Sequence, residues 1–262
     1  FRNATNNGGF TVTAVTSTTM TVIPSIGSLV TESAGDTESN SLIVGFRANS
    51  VQSGTVISSF FFENQFTDIG TSDQYYGMRP NSLKLNIDIH KIITGSMSFL
   101  GEKMTSTTEA LLTSLCPQKN RPPIDSASGV LGIKEAGVQI STPIFNVYFT
   151  IENSPEALYS VSQLAPIDVQ MKYLNISGTL VAYFENNYLK NKFLTNEDTS
   201  LSLEFLSPNG DLIYMSFPTI TFLEADTPTT GQNADLFVTL PWQAVVGGGF
   251  DYSAQFDFFN VV

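Results

Sequence analysis

The chain has 262 residues, of which 42% are apolar, so it is long enough to bury a core and too apolar for wholesale disorder. Its 12 basic and 24 acidic residues give a net charge of −12. Such a balance disfavours direct binding to nucleic acid or to an anionic membrane surface, because both depend on cationic side chains. The 20 Phe and 9 Tyr, set among Ser, Thr and Asn, indicate an all-β protein.

Residues 1–50 are predicted to form a small β-rich module. Apolar and polar residues alternate from Phe10 to Val15 and again from Thr19 to Val22, with a short polar turn between them, which predicts a hairpin. Residues 41–46 form a further predicted strand. The sequence starts at Phe1 in a polar segment, and we expect this module to be incomplete at its start.

Residues 51–142 are predicted to form a first domain. Strands are expected at 56–62, 82–89 and 93–100. Residues 106–115 suit a helix, because three leucines fall on one face and a Ser/Thr run supplies an N-cap. Two long loops, 63–80 and 117–142, complete this predicted domain.

Residues 143–262 are predicted to form a second domain. The predicted strands lie at 145–151, 168–173, 176–184, 199–206, 212–217, 235–240 and 251–259. A short helix is expected over residues 188–194. Pro208, Asn209 and Gly210 between two alternating runs indicate a tight hairpin turn.

An internal repeat relates the two predicted domains. Residues 93–102 and 176–185 share the order Ile, hydroxyl residue, Gly, hydroxyl residue, then an alternating strand that ends at Glu. In each copy an alternating strand precedes this segment and a predicted helix follows it. We therefore interpret the chain as a tandem duplication of one β-rich domain.

No catalytic, cofactor or metal site is predicted. His90 is the only histidine and lies at a strand end without a nucleophile motif nearby. The lone Cys116 excludes an internal disulfide and a cysteine-based zinc site. The acidic residues near Glu224 and Asp235 lack EF-hand spacing. Trp242 could stack on a sugar, although a core or interface anchor is favoured.

Several ordered segments resemble the two-domain type of bacteriophage tail tube protein. In the first half these are FFENQFTDIG at 61–70, YGMRPNSL at 76–83 and TGSMSFLG at 94–101; in the second they are IEN at 151–153, ISGTLVAYFE at 176–185 and LPWQA at 240–244. Two positions depart from the family pattern: Asn64 stands where a basic residue is expected, and Pro80 where an aliphatic one is.

The resemblance implies tandem tail-tube β-sandwich or barrel domains, each with a short flanking helix, behind the N-terminal module. It implies a structural, non-enzymatic virion protein of the phage tail, assembled in the host cytoplasm. Rings would stack into a hollow tube for DNA passage, and three two-domain chains would close a pseudo-sixfold ring. Further implied partners are the tape measure and terminator proteins, and the sequence leaves a contractile sheath open.

The acidity of the chain suggests where its charges could lie in such a tube. We take Asp88, Glu102, Asp168 and Glu185 as candidates for the channel surface, where negative charge would repel passing DNA. Equally, the acidity could serve only to keep free subunits soluble. No cofactor, membrane or specific DNA contact is expected.

Other classes of protein fit parts of the pattern. A carbohydrate-binding β-sandwich on the virion surface would use Tyr and Trp side chains for stacking and would need no ring. A jelly-roll capsid or decoration protein would lack the tandem repeat. A β-sandwich glycosidase is least favoured, because no acid–base carboxylate pair can be assigned from spacing.

Overall fold

The computed structural model describes residues 10–15, 20–24, 45–54, 57–112, 121–185, 187–226, 235–247 and 249–261. In these ranges the chain forms 17 strands and one helix, so the all-β class is confirmed. The strands of the first half are β1 (Phe10–Val15), β2 (Met20–Pro24), β3 (Gly45–Gln52), β4 (Phe60–Phe66), β5 (Thr71–Asp88), β6 (Thr94–Leu100), β7 (Lys103–Thr107), β8 (Val130–Glu135) and β9 (Val138–Gln139). Those of the second half, with the helix, are β10 (Ile144–Glu152), β11 (Pro155–Leu158), β12 (Asp168–Met171), β13 (Asn175–Tyr183), α1 (Tyr188–Leu194), β14 (Thr199–Leu206), β15 (Leu212–Phe222), β16 (Phe237–Ala244) and β17 (Gln255–Val261).

Thirteen strands share one hydrogen-bonded antiparallel network that folds into two layers. Sheet I has the order β6–β5–β10–β13–β16, and sheet II has the order β9–β8–β14–β15–β17–β3. The two sheets join where the end of β15 pairs with the end of β16, from Ile220 to Phe222. The hairpin predicted at the N-terminus is present, since β1 and β2 pair antiparallel.

Aromatic side chains from both sheets meet in one core. Phe149 of sheet I lies 5.2 Å from Phe217 of sheet II, measured between ring centroids, and Phe217 lies 5.0 Å from Trp242. All three are fully buried. Period-two alternation produces this core, because alternate residues of each strand point to the same layer. Trp242 is therefore a core anchor, as favoured from the sequence.

The helix α1 covers one end of the core, and its predicted position is confirmed. Leu189 is its buried residue and belongs to the core cluster. Polar contacts tie the helix to Glu135, which is itself buried: Tyr188 Oη donates to Glu135 Oε2 at 2.7 Å, and Lys192 Nζ lies 3.3 Å from Oε1. Thr199 Oγ1 also donates to Glu135, which joins the helix, β8 and β14 through one carboxylate.

The helix predicted at residues 106–115 is wrong over its described part. Residues up to Thr107 belong to β7, which pairs with β5, and residues 108–112 are irregular. Residues 113–115 lie outside the described ranges. The hydroxyl-rich start of this segment has low helix propensity and completes a strand ladder instead.

The loop predicted at 63–80 is wrong, and the loop predicted at 117–142 is wrong over β8 and β9; residues 121–129 are irregular as predicted, and 117–120 lie outside the described ranges. Residues 60–66 and 71–78 form a hairpin, β4–β5, and β7 adds a third strand to the same end of β5. Gly70, at φ +67°, closes its turn, and Gly77, at φ +62°, lets the 18-residue β5 continue into sheet I. The second loop contains β8 and β9. Gly and Pro in these segments mark bends within strands.

The proposed repeat falls on two strands with different neighbours. Gly95 lies in β6, whose one partner among the described strands is β5, whereas Gly178 lies in β13, which pairs with β10 and β16. The strand before Gly178, β12, pairs with β11 in a separate two-stranded sheet. In addition, β3 crosses the predicted boundary near residue 50 and pairs with β17. The division into 1–50, 51–142 and 143–262 stays a prediction.

Candidate assembly and channel surfaces

The outer face of sheet I is a broad polar surface. Registered rows cross the strands, such as Lys84–Thr150–Ser177–Gln243 and Asn86–Tyr148–Thr179–Pro241. Small hydroxyl and amide side chains dominate these rows. Among the described strand residues of this face, the charged ones are Lys84, Asp88 and Glu152. The face offers many hydrogen-bonding groups at low charge density.

The strand β6 forms a free edge of sheet I among the described residues. It pairs with β5 on one side, from Arg79 opposite Leu100 to Asn86 opposite Thr94, and no described strand pairs with its other side. Most of β6 is solvent-exposed, including Met97. Unpaired backbone donors and acceptors along such an edge are a ready template for a strand of another chain.

The four predicted channel acids fall into two pairs at opposite ends of sheet I. Asp88 ends β5, and Glu185 follows the end of β13 on the same side of the sheet. Glu102 lies at the other end, where its backbone N–H donates to Tyr76 O at 3.0 Å. Asp168 lies nearer the Glu102 end, because its carboxylate forms an ion pair with Arg79 of β5. In one chain the structure does not bring the four carboxylates together.

Two of these acids are held in specific polar contacts. The Lys91 ammonium, 3.0 Å from Asp88 Oδ2, and the amide of Asn146 hold the pKa of Asp88 below its usual range. Asp168 Oδ1 accepts from Arg79 Nη2 at 2.8 Å, and Arg79 also donates to the carbonyl of Val169. The Arg79 contacts fasten β12 to β5. Glu185 is exposed, and Glu102 packs against Gly77.

Two β-hairpins stand apart from the two main layers and expose apolar side chains. The β11–β12 hairpin carries Val161 and Leu164 in its connecting segment, at 93% and 101% exposure. The β4–β5 hairpin exposes Phe66 and Ile69. Exposed large apolar side chains at projecting positions are candidates for contact surfaces between proteins. Of this first hairpin the sequence predicted the strand at 168–173 but not β11, although the apolar residues of segment 159–167 were a usable signal.

The structure does not support a sugar-stacking site at Trp242, a catalytic site at His90 or a metal site among the described residues. Trp242 is fully buried and cannot stack on a sugar. His90 is exposed in the turn after β5. Within the described residues, no group of three His, Cys, Asp or Glu side chains is placed to hold a metal ion. The short helix α1 is the only described helix, and it does not have the length to cross a bilayer.

A sequence model of the phage tail tube protein family matches residues 4–244 of the chain. The match spans most of the sequence, and the chain therefore belongs to this family. It is a structural protein of the virion tail, and its family assembles by self-association into a tube together with other tail proteins. No curated protein matches the chain.

Proposed function

We propose that the chain is the major tail tube subunit, that three copies close a pseudo-sixfold ring, and that rings stack into a hollow tube through which DNA passes. The observation that carries this proposal is sheet I, with its polar outer face and the free edge at β6. An edge that pairs with the next copy extends a sheet around an axis, and a repeated heterologous contact closes a ring.

In this arrangement the outer face of sheet I faces the channel. Three chains with a net charge of −12 each would carry −36 in total. On the strands of this face, however, the charged residues are one base, Lys84, and two acids, Asp88 and Glu152. The wall would therefore present hydroxyl and amide groups with little net charge. Cationic walls would bind phosphates tightly and slow the passage of DNA. Asp88, Glu102, Asp168 and Glu185 remain our candidates for the residual negative charge at the channel.

The two exposed hairpins supply contacts between rings. The segments predicted as loops, 63–80 and 117–142, contain strands, so the contacts are assigned to the tips of the two hairpins, and the β4–β5 tip lies within 63–80. Leu164 is fully exposed among the described residues, and a second copy can shield it from water. The tape measure, terminator and, where present, sheath proteins would bind the completed tube.

A catalytic function is not part of this proposal. The chain belongs to a structural family, and its buried polar groups join strands and the helix to one another. A carbohydrate-binding surface protein is the competing proposal, and burial of Trp242 removes the strongest residue for sugar stacking.

Electron microscopy of the purified chain tests the proposed function. Rings and tubes with an open bore are expected, with a mass of three chains per ring by native mass spectrometry. A reconstruction should place Lys84 and Thr179 on the bore. Monomers that bind glycans and form no ring would overturn the proposal, and six chains per ring would overturn the trimer.

A further inference from the structure

Four polar side chains form a row on one face of the β4–β5 hairpin. Glu63 lies opposite Gln74, and Gln65 lies opposite Ser72, so all four point to the same side. Ser72 and Gln74 are almost fully buried, at 2% and 4% exposure. Polar groups that are buried on a projecting hairpin must be satisfied by something that covers them.

The cover is a short irregular segment of the same chain, residues 109–112. Glu63 accepts hydrogen bonds from the backbone N–H groups of Leu111 and Leu112, at 2.9 and 2.8 Å. It also accepts from Ser72 Oγ at 2.6 Å and from Gln74 Nε2 at 3.1 Å. One carboxylate thus joins both strands of the hairpin to the segment.

The neighbouring amides bind the same backbone. Gln65 Nε2 donates to Leu112 O at 2.8 Å, and Gln74 Nε2 donates to Glu109 O at 2.9 Å. These contacts all involve backbone atoms of the segment. The side chains of Leu111 and Leu112 remain exposed, so apolar burial does not hold the segment in place. Its attachment depends on the polar row.

We propose that residues 109–112 form a strap, fastened across the β4–β5 hairpin by Glu63 as its positioning residue, and that the fastened strap presents Leu111 and Leu112 to a second copy of the chain. A charged acceptor that receives two adjacent backbone N–H groups is stronger than a neutral one. Without it the strap loses its central attachment, while the β4–β5–β7 ladder keeps its own backbone hydrogen bonds.

The second copy is the chosen partner because the family to which the chain belongs assembles by self-association. Leu111 and Leu112 are exposed on the strap side of the hairpin, whereas the register of β4, β5 and β7 places the exposed Phe66 and Met104 on its opposite face. Standard interfaces bury about 800 Å² from each partner, so the two leucines would form one part of a larger contact between copies. This part of the inference rests on the proposed function; the fastening of the strap does not.

Hydrogen exchange on the free chain tests the fastening, with Glu63→Gln compared with Glu109→Gln. The first change keeps the side-chain size but removes the charge and turns an amide nitrogen toward the donors. The second removes the same charge from the strap itself, where Glu109 contributes its backbone carbonyl to the contact. We expect the amides of residues 111 and 112 to exchange roughly tenfold faster in Glu63→Gln alone.

Exchange at residues 73–75 should stay unchanged in both variants. Wild-type exchange at 111 and 112 in Glu63→Gln would overturn the strap. Equal acceleration of the whole β4–β5–β7 ladder would also overturn it, because Glu63 would then support the hairpin as a whole. Should Glu63→Gln fail to fold, Gln65→Ala, which removes the amide contacts to Leu112 O and to Glu63 Oε2 but keeps the Glu63 carboxylate, should show a smaller increase at the same amides.

Assembly separates the two parts of the inference. If the strap presents the leucines to a second copy, two variants should each reduce tube formation at least severalfold: the single variant Glu63→Gln, and the double variant that combines Leu111→Ser and Leu112→Ser. The control Glu109→Gln should form tubes as the wild type does. Normal tubes from both would overturn the role of the strap in assembly while leaving the exchange result intact. Absence of tubes from the wild-type chain would overturn the proposed function instead.

Discussion

Gly178 and Gly95 occupy matching places in the repeated sequence but meet different surroundings. A Cβ at Gly178 would lie 2.4 Å from Trp242 Cζ2 and 2.5 Å from Tyr148 O, well inside contact distance. A Cβ at Gly95 would lie 3.1 Å from Lys84 O and 3.2 Å from a Leu85 methyl. Gly178 is therefore required by the close approach of an indole ring and a carbonyl oxygen in the core.

Replacement of Gly178 by Ala should destabilise the chain by about 1–3 kcal/mol, because the fully packed core has no room for a methyl group. Replacement of Gly95 by Ala, at the free edge, should cost less than about 1 kcal/mol by the same reasoning. Urea unfolding of both variants measures the difference. Equal losses would show that the Trp242 contact does not set the requirement.

Glu63 should titrate far below an ordinary glutamate. Burial raises its pKa, but the hydrogen bond from Ser72, together with those from the backbone of Leu111 and Leu112 and the amide of Gln65, lowers it from 4.5 to about 2. A folded-state pKa below the unfolded value means that this contribution to stability is complete above pH 4.5. It is lost as the pH falls from 4.5 through 2.

A carboxyl NMR titration of Glu63 checks the direction of this shift. Ser72→Ala should raise the measured pKa toward 4.5, since it removes the largest single cause of the lowering. A wild-type Glu63 midpoint near 4.5 would contradict the hydrogen-bond set around it.

The helix α1 is held by one buried carboxylate and one exposed one. Lys192 Nζ lies 3.3 Å from Glu135 Oε1, where Glu135 is 1% exposed, and 2.9 Å from Glu197 Oε1, which is largely exposed. Burial lowers the pKa of Lys192, but its contacts with Glu197 and Glu135 outweigh this and the net pKa is raised. The buried pair is the one that locates the helix on β8 and β14.

Glu135→Ala should cost about 1–3 kcal/mol, because the Tyr188 and Thr199 hydroxyls lose their acceptor and Lys192 keeps only its exposed partner, Glu197. Glu197→Ala, which removes the exposed partner of the same lysine, should cost about 0–1 kcal/mol. Chemical denaturation of the two variants makes this comparison. A similar small loss in both would mean that Leu189 and its apolar neighbours alone locate α1.

At the scale of elements, period-two patterns were sufficient to predict strands such as β13 and β14 and the turn before β15. The helix predicted at 106–115 shows where local patterns fail. Its leucine spacing suits a helix face, but pairing with β5 and the distant carboxylate of Glu63 decide the backbone there. The loop prediction at 63–80 was wrong for a related reason, because Gly70 and Gly77 bend a continuing hairpin and do not end its strands.

At the scale of the whole molecule, the exposed hairpin β11–β12 should act in assembly and not in folding. Leu164→Asp combined with Val161→Asp should prevent tube formation while leaving the unfolding free energy within about 0.5 kcal/mol of wild type, because neither side chain is buried. Val246→Asp adds a charge at an exposed aliphatic residue outside the hairpins and should assemble normally.

Sedimentation and electron microscopy measure both outcomes. If the double variant forms tubes of normal length, the β11–β12 hairpin does not make the contacts between rings. Loss of tubes from Val246→Asp as well would show that any added surface charge blocks assembly, and the hairpin would then have no special role.

Composition, alternation and the ordered motifs determined the all-β class, most strands and the family, because these depend on local periodicity and on short motifs that can be read along the chain. Tertiary structure alone decided which strands share a sheet, that β6 is left at an edge and that β12 pairs apart from β13. Those outcomes follow from contacts between residues far apart in sequence. The same holds for Glu63 and Glu135, whose roles come from backbone N–H groups and side chains that only folding brings to them.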